Sequence, residues 1–148
     1  MMKRIQIAMI LAGSILSANA AGFSAGQEAL RTAIEKSLTG NGYTVERQDD
    51  GLKFDSDGNA YYIEISKDDS NPMYVRLTRY IRFDEKIKRD EVMDKLSAYN
   101  SHYAVKAYCK EKNLILTADM FVTSADQFAD VLNTLLLLMK ETAEEITE

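Results

Sequence analysis

The chain has 148 residues, 46% of them hydrophobic, with 18 Lys and Arg against 23 Asp and Glu and a formal net charge of −5. That length and apolar content suffice for one domain with its own core, and the acidic balance argues against nucleic acid or anionic lipid as a partner. One cysteine, Cys109, excludes an intrachain disulfide, and one histidine, His102, excludes zinc sites built from several His or from Cys/His clusters.

Residues 1–20 read as a secretory signal peptide. Lys3 and Arg4 form a basic n-region, Ile5 to Leu16 is an apolar run broken only by Gln6, Gly13 and Ser14, and Ala18-Asn19-Ala20 is an A-x-A cleavage site. Cleavage after Ala20 leaves a single domain over residues 21–148 and, with Lys3 and Arg4 gone, a net charge of −7. No cysteine follows the cleavage site to carry a lipid, and no other stretch is long and apolar enough to span a bilayer. The expected location is therefore the periplasm or the outside of the cell, with no integral membrane segment after cleavage.

In the expected mature chain, Ser24-Ala25-Gly26-Gln27 is a capping box, and Leu30, Ala33, Ile34 and Leu38 follow at helical spacing to about Thr39. Gly40-Asn41-Gly42 stops that helix. Tyr43 to Gln48 and Leu52 to Asp55 have strand character, joined by a tight turn at Asp49-Asp50-Gly51, and Ser56-Asp57-Gly58-Asn59 is a second turn. Ala60 to Ser66 alternates, with Tyr61, Ile63 and Ile65 on one side and Tyr62, Glu64 and Ser66 on the other. Tyr74 to Phe83 is the clearest strand. Val75, Leu77, Ile81 and Phe83 share its apolar face, which Arg79 interrupts, so Arg79 is expected near an edge.

Asp84 is placed to cap a middle helix whose apolar stripe is Val92, Met93, Leu96, Tyr99 and Tyr103, with Asn100 inside it. Val105, Ala107 and Cys109 then face inward and Lys106, Tyr108 and Lys110 outward, which makes Cys109 a small buried hydrophobe. Leu114 to Val122 returns as a strand. Ser124-Ala125-Asp126-Gln127 opens a last helix as a second capping box. Its core face is Phe128, Val131, Leu132, Leu135, Met139 and Ile146; Leu136 and Leu138 widen that face and Leu137 points the opposite way. The order α-β-β-β-β-α-β-β-α, or the same order with the first two strands counted as one irregular element, predicts an α+β domain with helices on an antiparallel sheet.

Catalytic patterns are missing. There is no nucleophile elbow, P-loop or dinucleotide fingerprint. His102 falls on the polar side near the end of the middle helix. Asp55, Asp57 and Asn59 resemble the start of a calcium loop without its closing glutamate, and read as a polar hairpin turn. The chain is therefore expected not to be an enzyme, and to hold no metal or cofactor. Two surfaces stand out instead. Arg76, Tyr80 and Arg82 share a strand face that can lie beside Tyr62, with Lys106, Tyr108 and Lys110 adding to the same kind of surface, suited to an acidic peptide or a carboxylate. The ordinary alternative is a solvated sheet face. The other surface is the last helix at Leu136, Leu137 and Leu138, where a partner or a second copy would cover the surplus leucines.

The arrangement resembles the YbjN family, whose fold is shared with the type III secretion chaperones. The resemblance runs from about Gln27 to Glu145 and rests on the glycine-ended first helix, the acidic turn at Asp50-Gly51, the aromatic strand Ala60 to Ile65 and the long strand Tyr74 to Phe83. It also rests on Phe128-x-x-Val131-Leu132 and on an L-N-x-x-N pattern with a following lysine. Here that pattern reads Leu96-Ser97-Ala98-Tyr99-Asn100 and Lys106, with Ser97 in place of the first Asn. The resemblance implies a role in regulation and protein interaction without catalytic residues. Its chaperone relatives are small, acidic, often dimeric, cytoplasmic proteins that bind extended segments. The expectation is an exported, non-enzymatic interaction module, regulatory or chaperone-like, that binds a protein segment or itself. The alternative is a periplasmic binder of a small apolar or carboxylated ligand in the space between helices and sheet. That alternative needs a cavity, whereas the abundance of Leu, Ile, Val and Met points to a filled core.

Overall fold

A computed structural model describes residues 22–68, 70–99 and 104–148. Helix α1 spans Ala25–Gly40, and strands β1 to β4 follow at Val45–Gln48, Gly51–Ser56, Asn59–Ile65 and Met73–Arg82. Helix α2 is Arg89–Tyr99, β5 and β6 are Lys106–Lys110 and Asn113–Val122, and α3 is Ala125–Thr147. The six strands form one antiparallel sheet in the order β1-β2-β3-β4-β6-β5. The expected α+β order is thus the observed one. The signal-peptide reading, Asn100, His102 and Tyr103 lie outside the described residues.

Alternation along the strands builds the core. Leu52, Phe54, Ile63, Val75, Leu77, Leu114 and Leu116 stand on one face and are buried beneath the helices. α1 contributes Leu30, Ile34 and Leu38; α3 contributes Phe128, Leu132, Met139 and Ile146. α3 lies against β6 and α1, and α2 closes the end over β5 and α3. A buried hydrogen bond between the Tyr99 and Thr142 hydroxyls ties α2 to α3.

The helix ends follow local chemistry. Ser24 Oγ accepts from Gln27 N at 3.2 Å while Gln27 Oε1 accepts from Ser24 N at 2.7 Å. Gln27 is itself buried, and its Nε2 donates to Ser66 O at 2.6 Å, fixing the start of α1 to the end of β3. Arg47 on the edge strand β1 donates to Glu28, Thr32 and Glu35, so α1 is held to that edge by polar contacts where the apolar core has run out.

Several expectations need correction. The second capping box is only half formed: Ser124 Oγ accepts from Gln127 N, but Gln127 Oε1 takes its bonds from Thr123 N and Oγ1. Asp84 does not cap α2. Its Oδ1 accepts from Lys86 N and Ile87 N, which closes a separate turn before the helix begins at Arg89. Met93 and Val131 are exposed rather than core, because the layer above the sheet ends before it reaches their sides of α2 and α3. Leu135 is half-buried. Arg79 is not on an edge strand, since β4 is flanked by β3 and β6; it stands opposite Tyr61 and Leu116, beside the β2–β3 turn.

Candidate functional site

The three described helices lie on one side of the sheet, and the register fixes what the other side carries. Across the strands run Lys53, Tyr62, Thr78, Thr117 and Lys106 in one row, and Tyr80, Ile115 and Tyr108 in the next. Thr78, Ile115 and Thr117 form the floor of this face and are buried, although no described helix covers them. The Tyr62 and Tyr80 rings meet edge to face at 5.4 Å, and Tyr80 and Tyr108 stay nearly half exposed. Thr78 Oγ1 is buried and makes no hydrogen bond among the described residues.

Of the residues singled out in the sequence, Tyr62, Tyr80, Lys106 and Tyr108 therefore form one continuous surface. Arg82 stands at the end of β4 opposite Asn113, exposed. Arg76 belongs to a different cluster. Its Nε donates to Asp119 Oδ1 at 2.7 Å and its Nη2 to Tyr74 OH at 2.8 Å, so its charge is already matched. Burial works against the charged Asp119 carboxyl, but the hydrogen bonds from Arg76 and Tyr74 and the Arg76 charge outweigh it and hold the group below the usual aspartate range. Glu64, paired across the ladder with Arg76, moves the other way: burial and then the Asp50 charge push it up, against the pull of Arg76. Burial likewise raises the Tyr80 phenol, helped by Glu64. The face is thus aromatic at its centre and mixed in charge at its margins, not uniformly basic.

Sequence reasoning missed Phe121. It is 62% exposed and packs edge to face on Tyr74 at 5.5 Å, extending the aromatic surface beyond Arg76. The parity of Leu114 to Val122 held the signal, because Phe121 shares a face with Asp119 and Ile115. Cys109 is half-buried on the opposite, helix-covered face, its thiol pushed up by burial.

The last helix carries a second stripe beside its core stripe. Asn133, Leu136, Leu137, Lys140 and Glu144 line a pocket of about 520 Å³ between α3 and the β2–β3 turn, with Arg79 and Tyr61 on the sheet side. Leu137 is 54% exposed at this pocket, whereas Leu136 and Leu138 are half-buried against the core. The core is therefore open at this end.

Among the described residues no group of three or more His, Cys, Asp or Glu is placed to hold a metal ion. No described helix is long and apolar enough to cross a membrane. Comparison with curated proteins returned no match. The profile of the YbjN family, described as "Putative bacterial sensory transduction regulator", matches residues 30–148, and the chain belongs to that family.

Proposed function

We propose that the protein is an exported, non-enzymatic interaction module that docks a segment of another protein on the bare face of its sheet. One observation carries this reading: Tyr62, Tyr80 and Tyr108 stand around a buried floor, with Phe121 beyond Arg76, on a face that no described helix covers. Tyrosine and phenylalanine supply large contact area at low entropic cost, which is why aromatic clusters are enriched at binding interfaces. Lys106, Lys110 and Arg82 at the margin favour acidic residues flanking the docked segment. The family's description as a regulator supports an output through protein contact.

The test is site-specific photo-cross-linking in the native envelope. A photoreactive residue at Tyr108 or Phe121 should capture a discrete partner, and the same residue at Lys36, on the far side of the molecule, should not. Sedimentation of the purified protein separates capture of a foreign chain from self-association. A monomer that gives no cross-link at either position would remove the reading. Export is tested separately: the mass of the protein from the cell envelope should correspond to a chain beginning at Ala21.

A further inference from the structure

The pocket at the open end of the core lies on the helix side of the sheet, away from the bare face, and stands on its own observations. Its innermost charge is Arg79, the residue that interrupts the apolar face of β4. The guanidinium is half-buried, donates to Asn59 Oδ1 at 2.9 Å and lies 5.9 Å from the centre of the Tyr61 ring. The Tyr61 hydroxyl also hydrogen-bonds with the guanidinium, so these contacts set its orientation and use part, not all, of its five N–H donors. Among the described residues no carboxylate comes within 4.0 Å of it, whereas Arg31, Arg47 and Arg76 are each paired with Asp or Glu. Arg79 is thus a fixed cation, partly withdrawn from water, whose remaining fork is open to a planar anion.

The walls determine the rest of the ligand. Tyr43, Ile81 and Leu136 are half-buried and line the space around Arg79. Asp57, Lys140 and Glu144 also line the pocket but are exposed, where water and salt screen them; the deeper charge prevails. A volume of about 520 Å³ falls within the range that encloses small organic ligands. We propose that this pocket binds a small organic carboxylate with an apolar body, its head group on the Arg79 guanidinium and its body against Tyr43, Ile81 and Leu136. The site gives the module an input separate from its docking face, since Leu137 and Lys140 at the mouth belong to α3, which also packs on α1 and β6.

The experiment is an amide-shift titration of the protein with octanoate, with octanol and octylammonium as neutral and cationic counterparts. Octanoate should shift Asn59, Arg79 and Lys140 saturably, and neither counterpart should do so. Arg79→Gln should weaken octanoate binding by roughly tenfold or more, the loss expected for a charge-assisted hydrogen bond. Arg82→Gln, on the other face, should leave it unchanged. Asn133→Trp fills the mouth from an exposed helix position while keeping Arg79, and should also abolish the shifts, so the result stands even if Arg79→Gln fails to fold. The proposal is overturned if octanol shifts the same amides as strongly, if octanoate shifts none of them at millimolar concentration, or if both variants bind as well as the parent.

Discussion

Along β4, Val75 and Leu77 point into the helical layer and are fully buried, while Arg76 and Tyr80, adjacent or nearly so in sequence, stand on a face that no described helix covers. Both faces come from the same alternation, but they are held by different forces. The covered face is aliphatic and interdigitates with three helices, so each methyl group removed leaves a cavity. The bare face is held by side chains lying over one another: Tyr62 on Tyr80, Tyr74 on Phe121, and Arg76 bridging Tyr74 and Asp119. The first arrangement secures the fold, and the second can be altered at little cost to it.

Substitutions can break this contrast. The largest effect belongs to the covered face: Leu77→Ala should cost about 2–5 kcal/mol in urea unfolding, the range for truncating a buried aliphatic side chain. Gly51→Ala should come next. A Cβ there would stand 1.7 Å from the Ile63 carbonyl oxygen, a backbone atom that cannot swing aside. The loss should reach at least the ~1–3 kcal/mol of an overpacked site, with faster hydrogen exchange along the β2–β3 ladder. On the bare face, Tyr80→Ala forfeits its ring contact with Tyr62 and should cost about 0.5–1.5 kcal/mol while removing partner cross-links.

Asp119→Asn should have a smaller effect, roughly 0.2–1 kcal/mol as for other solvent-accessible pairs, and one that depends on pH. The folded carboxyl titrates below the ordinary aspartate value, so its contribution is complete above that value and disappears as pH falls through the folded one. Variant and parent should therefore differ at neutral pH and converge in acid, as followed by thermal unfolding across pH. Leu137→Glu should change stability by no more than about 0.5 kcal/mol, since the side chain is already more than half in water. A large loss there would mean that the end of the core is closed.

The element order was legible because each piece announced itself locally: Ser24 with Gln27, the glycines after Thr39, and the two-residue period of Ala60 to Ser66 and Tyr74 to Phe83. Faces were legible for the same reason, so Tyr62, Tyr80 and Tyr108 could be placed on one side. Which strands are neighbours was not. That β6 lies between β4 and β5 brings Asp119 to Arg76 and Phe121 to Tyr74, and no local pattern encodes it. The coverage of each helix was not legible either. Met93 and Val131 have the right spacing for core positions but lie past the rim of the packed layer. Arg79 drew notice by interrupting an apolar run, but its pocket exists only once α3 lies across from the β2–β3 turn.

The placement of β6 also has a kinetic consequence. Strands β1 to β4 form a meander whose neighbours are adjacent in sequence, so each hairpin can zip from its own turn. The β4–β6 ladder, from Arg82↔Asn113 out to Met73↔Val122, joins segments separated by α2 and β5, and closing that long loop carries an entropic cost that the hairpins avoid. The barrier to folding should therefore sit at this seam: a substitution such as Ala118→Gly should slow refolding, whereas one in the β1–β2 hairpin should mainly speed unfolding.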